Sequence, residues 1–211
     1  LVAAALGLIL FARRMHRATW ATAVTVVAAL AAAAVAAGPW VSLPSSGFAE
    51  MIRVDGYSQF FKVLIAAALA MTTLLAGRRI DDERVRPAEF HSLLLLATSG
   101  MLFAVSATDL LTLYLGLELM TLCSYILVGI TVEKPRANEA AIKYFLVGSF
   151  ASALFLYGIT LAYAVTGETG LAGIAEYLGE NEVGGERILL AAIGLIGAGL
   201  AFKIAAFPFH A

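Results

Sequence analysis

The sequence predicts an all-α fold, a polytopic transmembrane helix bundle, and three observations carry that reading. Apolar residues make up 61% of the 211, charged residues only 14%, and mean hydropathy is +0.90. A soluble domain has roughly 45–50% apolar and about 25% charged residues. The apolar excess is gathered into blocks of about 18–25 residues, long enough to cross a hydrocarbon core of roughly 30 Å. Finally, the basic residues collect in every second connector, as a chain threading back and forth through a bilayer requires.

Seven spans follow in order: 1–12 (partial), 18–38, 57–76, 90–107, 110–132, 140–165 and 188–207. The first begins at Leu1, not Met, and reaches Arg13 too soon to cross, so it reads as a truncated span. No basic region precedes it and no clean cleavage site follows, which argues against a signal peptide. Connectors 39–56, 77–89 and 166–187 carry Gly, Pro or charge and hold no soluble domain. Backbone in lipid must satisfy its own hydrogen bonds, and alternating barrel-type patterning is absent, so these runs are helices.

Connectors 13–17, 77–89 and 133–139 hold nine basic residues, among them Arg13, Arg14, Arg17, Arg84 and Arg136. The alternate connectors hold Arg53 and Arg187 alone. The positive-inside rule then puts the nine in the cytoplasm and the N-terminus outside. A net charge of −1, with no basic stripe, gives nucleic acid nothing to bind. The single cysteine, Cys123, excludes an internal disulfide and a cysteine-ligated cluster.

Of the 15 acids, only Glu118 falls near the middle of a span. An ionisable group there costs roughly 2.5–3.5 kcal/mol on insertion scales and persists when it faces a partner or an aqueous cavity. It handles ions or protons, or it is a neutral, hydrogen-bonded packing residue. Lys62 sits close enough to a span end to snorkel. Lys143 lies about four residues inside its span and is open to either snorkelling or function. Lys203 is deeper, more than about 20 Å from the Arg187 end at 1.5 Å per residue. Burial disfavours an ammonium and a nearby carboxylate favours it, so a moving carboxylate would control its proton.

Pro208 follows Lys203 by five residues and His210 comes just after. Proline disrupts the turn before it and frees carbonyls, and such breaks in transporters line polar cavities. The segment reads as a half-channel lining or as an ordinary helix end. Gly148 and Ser152 form a small-xxx-small pair, and Gly194, Gly197 and Gly199 stud the last span, both read as packing faces. His16 and His91 are placed at loops or helix ends and carry no assigned role.

Three motifs share a family pattern: Asp109-Leu-Leu-Thr-Leu-Tyr-Leu-Gly-Leu-Glu-Leu-Met, Pro135-Arg-Ala-Asn-Glu-Ala-Ala-Ile-Lys-Tyr-Phe, and Phe202-Lys-Ile-Ala-Ala-Phe-Pro-Phe-His210. In order and spacing this stretch, from about residue 90 onward, resembles subunit N of proton-pumping NADH-quinone oxidoreductase, respiratory complex I. The resemblance implies an antiporter-like fold of two inverted five-helix repeats with a discontinuous seventh helix. Residues 1–89 would be the N-terminal transmembrane helices and 90–211 most of the first repeat, truncated at the helix break. It also implies that Glu118 is the acid of a charged pair, Lys203 its partner and proton carrier, and Lys143 a member of the same polar axis. Ala205 stands where the family more often has serine, which removes a hydroxyl.

By the same resemblance the chain is a proton-translocating membrane-arm subunit, a translocase component in a bacterial cytoplasmic membrane or an equivalent energy-coupling membrane. Its partners would be other membrane-arm subunits and the lipid bilayer. The chain has no glycine-rich nucleotide loop, so it is expected to bind no cofactor or metal, leaving quinone and NADH, or another electron donor, to the rest of the complex. A subunit of a multi-subunit cation/proton antiporter or membrane-bound hydrogenase is the alternative, and a passive membrane scaffold the third.

Overall fold

A computed structural model describes residues 1–10, 18–38, 44–82, 85–181 and 187–207. Eight helices appear among them: α1 (Val2–Leu10), α2 (Ala18–Ala37), α3 (Gly56–Asp82), α4 (Pro87–Ser106), α5 (Leu110–Val128), α6 (Pro135–Thr166), α7 (Leu171–Glu180) and α8 (Arg187–Lys203). Five of them, α2 to α6, contain stretches long and apolar enough to cross a membrane. A short antiparallel hairpin, β1 (Ser45–Gly47) with β2 (Ile52–Val54), precedes α3.

Several boundaries differ from the sequence reading. Proline at the first helical position starts α4 and, five residues ahead of expectation, α6; its missing N–H is one no helix start can satisfy internally, and its fixed φ suits the first turn. Helix α3 runs on through the charged residues to Asp82. Connector 166–187 contains α7, whose ten residues were missed because they form less than half a span. Gly167, at φ 73°, ends α6 in the left-handed conformation glycine adopts without penalty.

The end of α8 also departs from expectation. The helix stops at Lys203, four residues short of the predicted end. Ala205 takes φ 51°, its N–H donates to the Phe202 carbonyl (3.0 Å), and the Ala206 N–H donates to the Ala201 carbonyl (2.8 Å). That pattern is a Schellman motif with alanine at the left-handed position. The break is thus already made before Pro208, which lies with His210 outside the described residues.

Packing forms two groups. Ala5, Leu8, Ala21, Ala29, Leu69 and Leu95 join α1 to α4. Leu110, Phe155 and Ile159 gather α5 and α6, with Ile174, Ile196 and Leu200 against them from α7 and α8. Gly100 and Gly116 link the groups: a Cβ on Gly116 would stand 2.8 Å from the Gly100 carbonyl. Small residues there bring α4 and α5 to backbone contact, the approach favoured where lipid offers helices no hydrophobic drive to associate. Gly158 and Gly199 do the same for α6 and α8, whereas Gly194 and Gly197 touch nothing within 4 Å. The packing expected of those two glycines does not occur among the described residues, because they face away from α6.

At one end of the bundle, Asp109 caps α5, accepting from the Leu111 (2.8 Å) and Thr112 (3.0 Å) amides and from the Thr169 hydroxyl. The Leu110 N–H donates to the Thr169 carbonyl (2.9 Å) and the Thr108 N–H to the Met51 carbonyl (3.0 Å). The hairpin, the α4–α5 turn and the α6–α7 turn are thereby tied together, which fixes where α5 and α6 begin and end.

Candidate functional site

Glu118 is the ninth residue of α5, and Thr121 follows on the same face one turn later. Ser152 lies midway along α6, and Lys203 is the last residue of α8. These four side chains meet. Gly199, one turn before Lys203, makes the meeting possible: a Cβ there would stand 2.5 Å from Phe155 Cβ, so only glycine lets α8 lie so close to α6.

Lys203 Nζ donates to Glu118 Oε1 (3.0 Å), Thr121 Oγ1 (3.0 Å) and Ser152 Oγ (3.1 Å). An ammonium has three hydrogens, and all three are used. Ser152 Oγ in turn donates to Glu118 Oε1. Thr121 sends its own hydrogen back to the Leu117 (3.0 Å) and Glu118 (3.2 Å) carbonyls, leaving its lone pairs for the lysine. The Lys203 side chain is 4% exposed and that of Glu118 19%. With so little water nearby, removing either partner leaves an uncompensated buried charge, a loss of roughly 3–5 kcal/mol. The negative end of the α8 dipole adds a second stabilising influence on the ammonium.

The other expected site residues are not part of this cluster. Lys143, on the third turn of α6, is exposed and pairs with Glu139 one turn earlier. Lys62 is half-buried in α3, and His210 lies outside the described residues. His91 stands near the start of α4, as expected, but is fully buried, its Nδ1 2.7 Å from the Pro87 carbonyl and its Nε2 3.3 Å from Thr22 Oγ1. The Thr22 contact ties α4 to α2, the Pro87 contact lies within α4, and both stand apart from the pair.

Sequence reasoning missed the two hydroxyls. Thr121 carried a faint signal, three residues after the only mid-span acid, and Ser152 was read as a packing residue. It packs and also bridges the two charges.

The family described as NADH:quinone oxidoreductase/Mrp antiporter, TM, matches residues 107–211, the stretch that contains this cluster. NADH-quinone oxidoreductase subunit N of Desulfovibrio desulfuricans is 45% identical over 188 residues, covering 85% of this chain and 37% of that protein. A chain of respiratory complex I from Thermus thermophilus, solved with bound aureothin, superimposes with a TM-score of 0.79 at 31% identity, over 99% of this chain and 44% of that one. A chain of the Mrp complex from Dietzia sp. has a TM-score of 0.77 at 22% identity, over 99% of this chain and 40% of that one, a likeness of fold alone. The chain thus spans less than half the length of these relatives. Apolar spans, a carboxylate–lysine pair at a helix end and close sequence likeness converge: this multi-pass membrane chain belongs to the NADH:quinone oxidoreductase/Mrp antiporter family of membrane subunits, on the branch of NADH-quinone oxidoreductase subunit N.

Proposed function

We propose that this chain acts within a proton-translocating membrane-arm subunit of complex I, where quinone reduction by NADH in other subunits drives protons across the membrane. The buried Glu118–Lys203 pair carries the reading. With Glu118 close, the lysine holds its proton; with Glu118 withdrawn, the buried ammonium loses its compensating charge and releases the proton along the axis. Return of the carboxylate favours reloading. Ser152 and Thr121 keep the lysine aimed through the cycle. Lys143 and His210 are assigned to the same polar axis, completed by the remainder of the subunit and its neighbours. All redox chemistry is assigned to other subunits.

The membrane is taken to be the bacterial cytoplasmic membrane, with the N-terminus outside, on the nine-to-two distribution of basic residues. Single cysteines at Arg136 and Glu168, the two ends of α6, should accordingly be labelled from opposite sides, Arg136 from the cytoplasm. Labelling of both from one side would refute the orientation.

The cation/proton antiporter shares the fold, so fold does not separate the two readings; the 45% identity to a subunit N supports complex I. The test is quinone-reductase turnover and proton uptake in membranes, with assembly followed on native gels. Glu118→Gln and Lys203→Ala should each depress both activities in assembled complex, and Glu118→Asp should retain part. The double variant should be little worse than either single one, because the two groups act as a unit. Lys62→Ala should be close to silent. Normal activity in assembled Glu118→Gln complex would sink the proposal.

A further inference from the structure

Two buried side-chain atoms have no hydrogen-bond partner among the described residues, Thr73 Oγ1 and Tyr125 Oη. Thr73 is on α3, outside the α5–α8 group. Tyr125 is on α5, one turn after Thr121, and is 5% exposed. Its ring stands edge-on to Tyr144 (4.7 Å between centroids) and Phe145 (5.7 Å), so the phenol reaches across from α5 to α6. There its hydroxyl lies against Gly148, in space that any Cβ at that position would fill. Gly148 is one turn before Ser152 on α6. The hydroxyl therefore occupies the same seam as the charged pair, one turn nearer the Lys134 end.

Burying a phenol without a well-formed hydrogen bond carries a desolvation penalty that phenylalanine would avoid. Packing does not need the oxygen, since the aromatic contacts are made by the ring. One turn is about 5.4 Å, roughly two hydrogen bonds end to end and the reach of a single bridging water. Thr121 Oγ1 interacts with the phenol without a well-formed hydrogen bond; it already accepts from Lys203, and its own hydrogen is held by the Leu117 and Glu118 carbonyls. Ser152 Oγ, already accepting from Lys203, is the group at the pair's level on the Gly148 side.

We propose that Tyr125 is the proton-conducting hydroxyl between the Lys134 end of the seam and Lys203. The inference rests on the pair acting as a proton switch. Oη accepts a proton from water on the Lys134 side while its own O–H proton leaves, through a bridging water and Ser152, to the neutral Lys203 amine. One proton moves, tyrosine ends as it began, and no electron is transferred. The hydroxyl then rotates back to repeat the step.

The experiment compares Tyr125→Phe with Tyr125→His, Glu118→Gln and Lys203→Ala, with turnover and proton uptake normalised to assembled complex on native gels. Tyr125→Phe keeps the ring and removes only the oxygen. It should lower both rates about threefold or more, most severely at alkaline pH, where protons are scarce. Thermal stability should be unchanged or higher. Tyr125→His, whose ring also relays protons, should recover part of the loss. Wild-type turnover and pH profile in Tyr125→Phe, beside inactive Glu118→Gln and Lys203→Ala, would overturn the relay and leave the switch standing. A histidine variant no better than phenylalanine would overturn it too. Full activity in Glu118→Gln would remove the switch itself, and the relay with it.

Discussion

Lys203 Nζ and Glu118 Oε1 lie 3.0 Å apart across 85 residues of sequence. Nothing local creates the pair. It exists because the capped start of α5, the antiparallel contact of α6 with α8 and the stop of α8 at Lys203 together bring the two side chains to one level. Changes to any of those three should be felt at the charges.

The bridging serine should matter more than the threonine. Ser152 bonds both charged side chains, donating to Glu118 and accepting from Lys203, whereas Thr121 bonds only the lysine of the two and gives its own hydrogen to backbone carbonyls. Hydrogen bonds to charged groups contribute roughly 1.5–3 kcal/mol each. Ser152→Ala should therefore lower the melting temperature and turnover of assembled complex more than Thr121→Val does. The reverse ranking in a thermal-shift assay would contradict the geometry.

Replacement of Gly199 by alanine should push α8 off α6. The added Cβ would stand 2.5 Å from Phe155 Cβ and 3.1 Å from the Ala151 carbonyl, so helix backbones must part. Overpacking of this kind costs about 1–3 kcal/mol, and here it displaces Lys203 one turn away. Gly194→Ala, with open space around it, should be neutral in both stability and turnover.

Ala205 at φ 51° carries the strain of a left-handed alanine, roughly 1–2 kcal/mol. Glycine would relieve it, offset in part by a freer unfolded chain. Ala205→Gly should raise the melting temperature modestly, and Ala205→Val should lower it.

A pH effect is expected at the start of α3. Asp55 Oδ1 accepts from the Ser58 N–H (2.8 Å), and the Asp55 N–H donates to Ser58 Oγ (3.0 Å). The Ser58 amide holds the Asp55 carboxyl below its ordinary range, with Ser58's side chain and nearby Arg53 and Lys62 acting in the same direction. A lowered folded-state value means this cap stabilises fully above the unfolded carboxylate's range and is lost as pH falls through the folded value. Asp55→Ala should cost about 1 kcal/mol at neutral pH and progressively less in acid. Thermal melts of both proteins across that acidic range should converge.

Glu118 and Lys203 were legible in the sequence because charge inside an apolar run has few explanations. The hydroxyls beside them were not, since serine and threonine in membrane helices usually bond back to their own helix, as Thr98, Ser99 and Ser124 do here. Helix identity was readable from hydropathy. Helix ends were less so: the stop after Lys203 has alanine where a glycine signal would stand, and α7 is too short for a span-length pattern. Glycine content marked the last span, but which glycine packs depends on the facing helix. Gly199 meets Phe155, while Gly194 and Gly197 meet nothing within 4 Å.

The closed turn after Lys203 bears on ion selectivity. Sites that strip water from a metal cation replace its hydration shell with several oxygens, commonly unwound backbone carbonyls. Here the carbonyls of Leu200, Ala201 and Phe202 already accept from Ile204, Ala206 and Ala205 in turn. A sodium or potassium ion arriving at this helix end would meet an ammonium that repels it and a carboxylate oxygen, Glu118 Oε1, that already accepts from Lys203 and Ser152. The oxygens of Glu118, Thr121 and Ser152 already accept from Lys203, so an alkali cation would have to displace the ammonium to reach them, whereas a proton can use the N–H and O–H bonds as they stand.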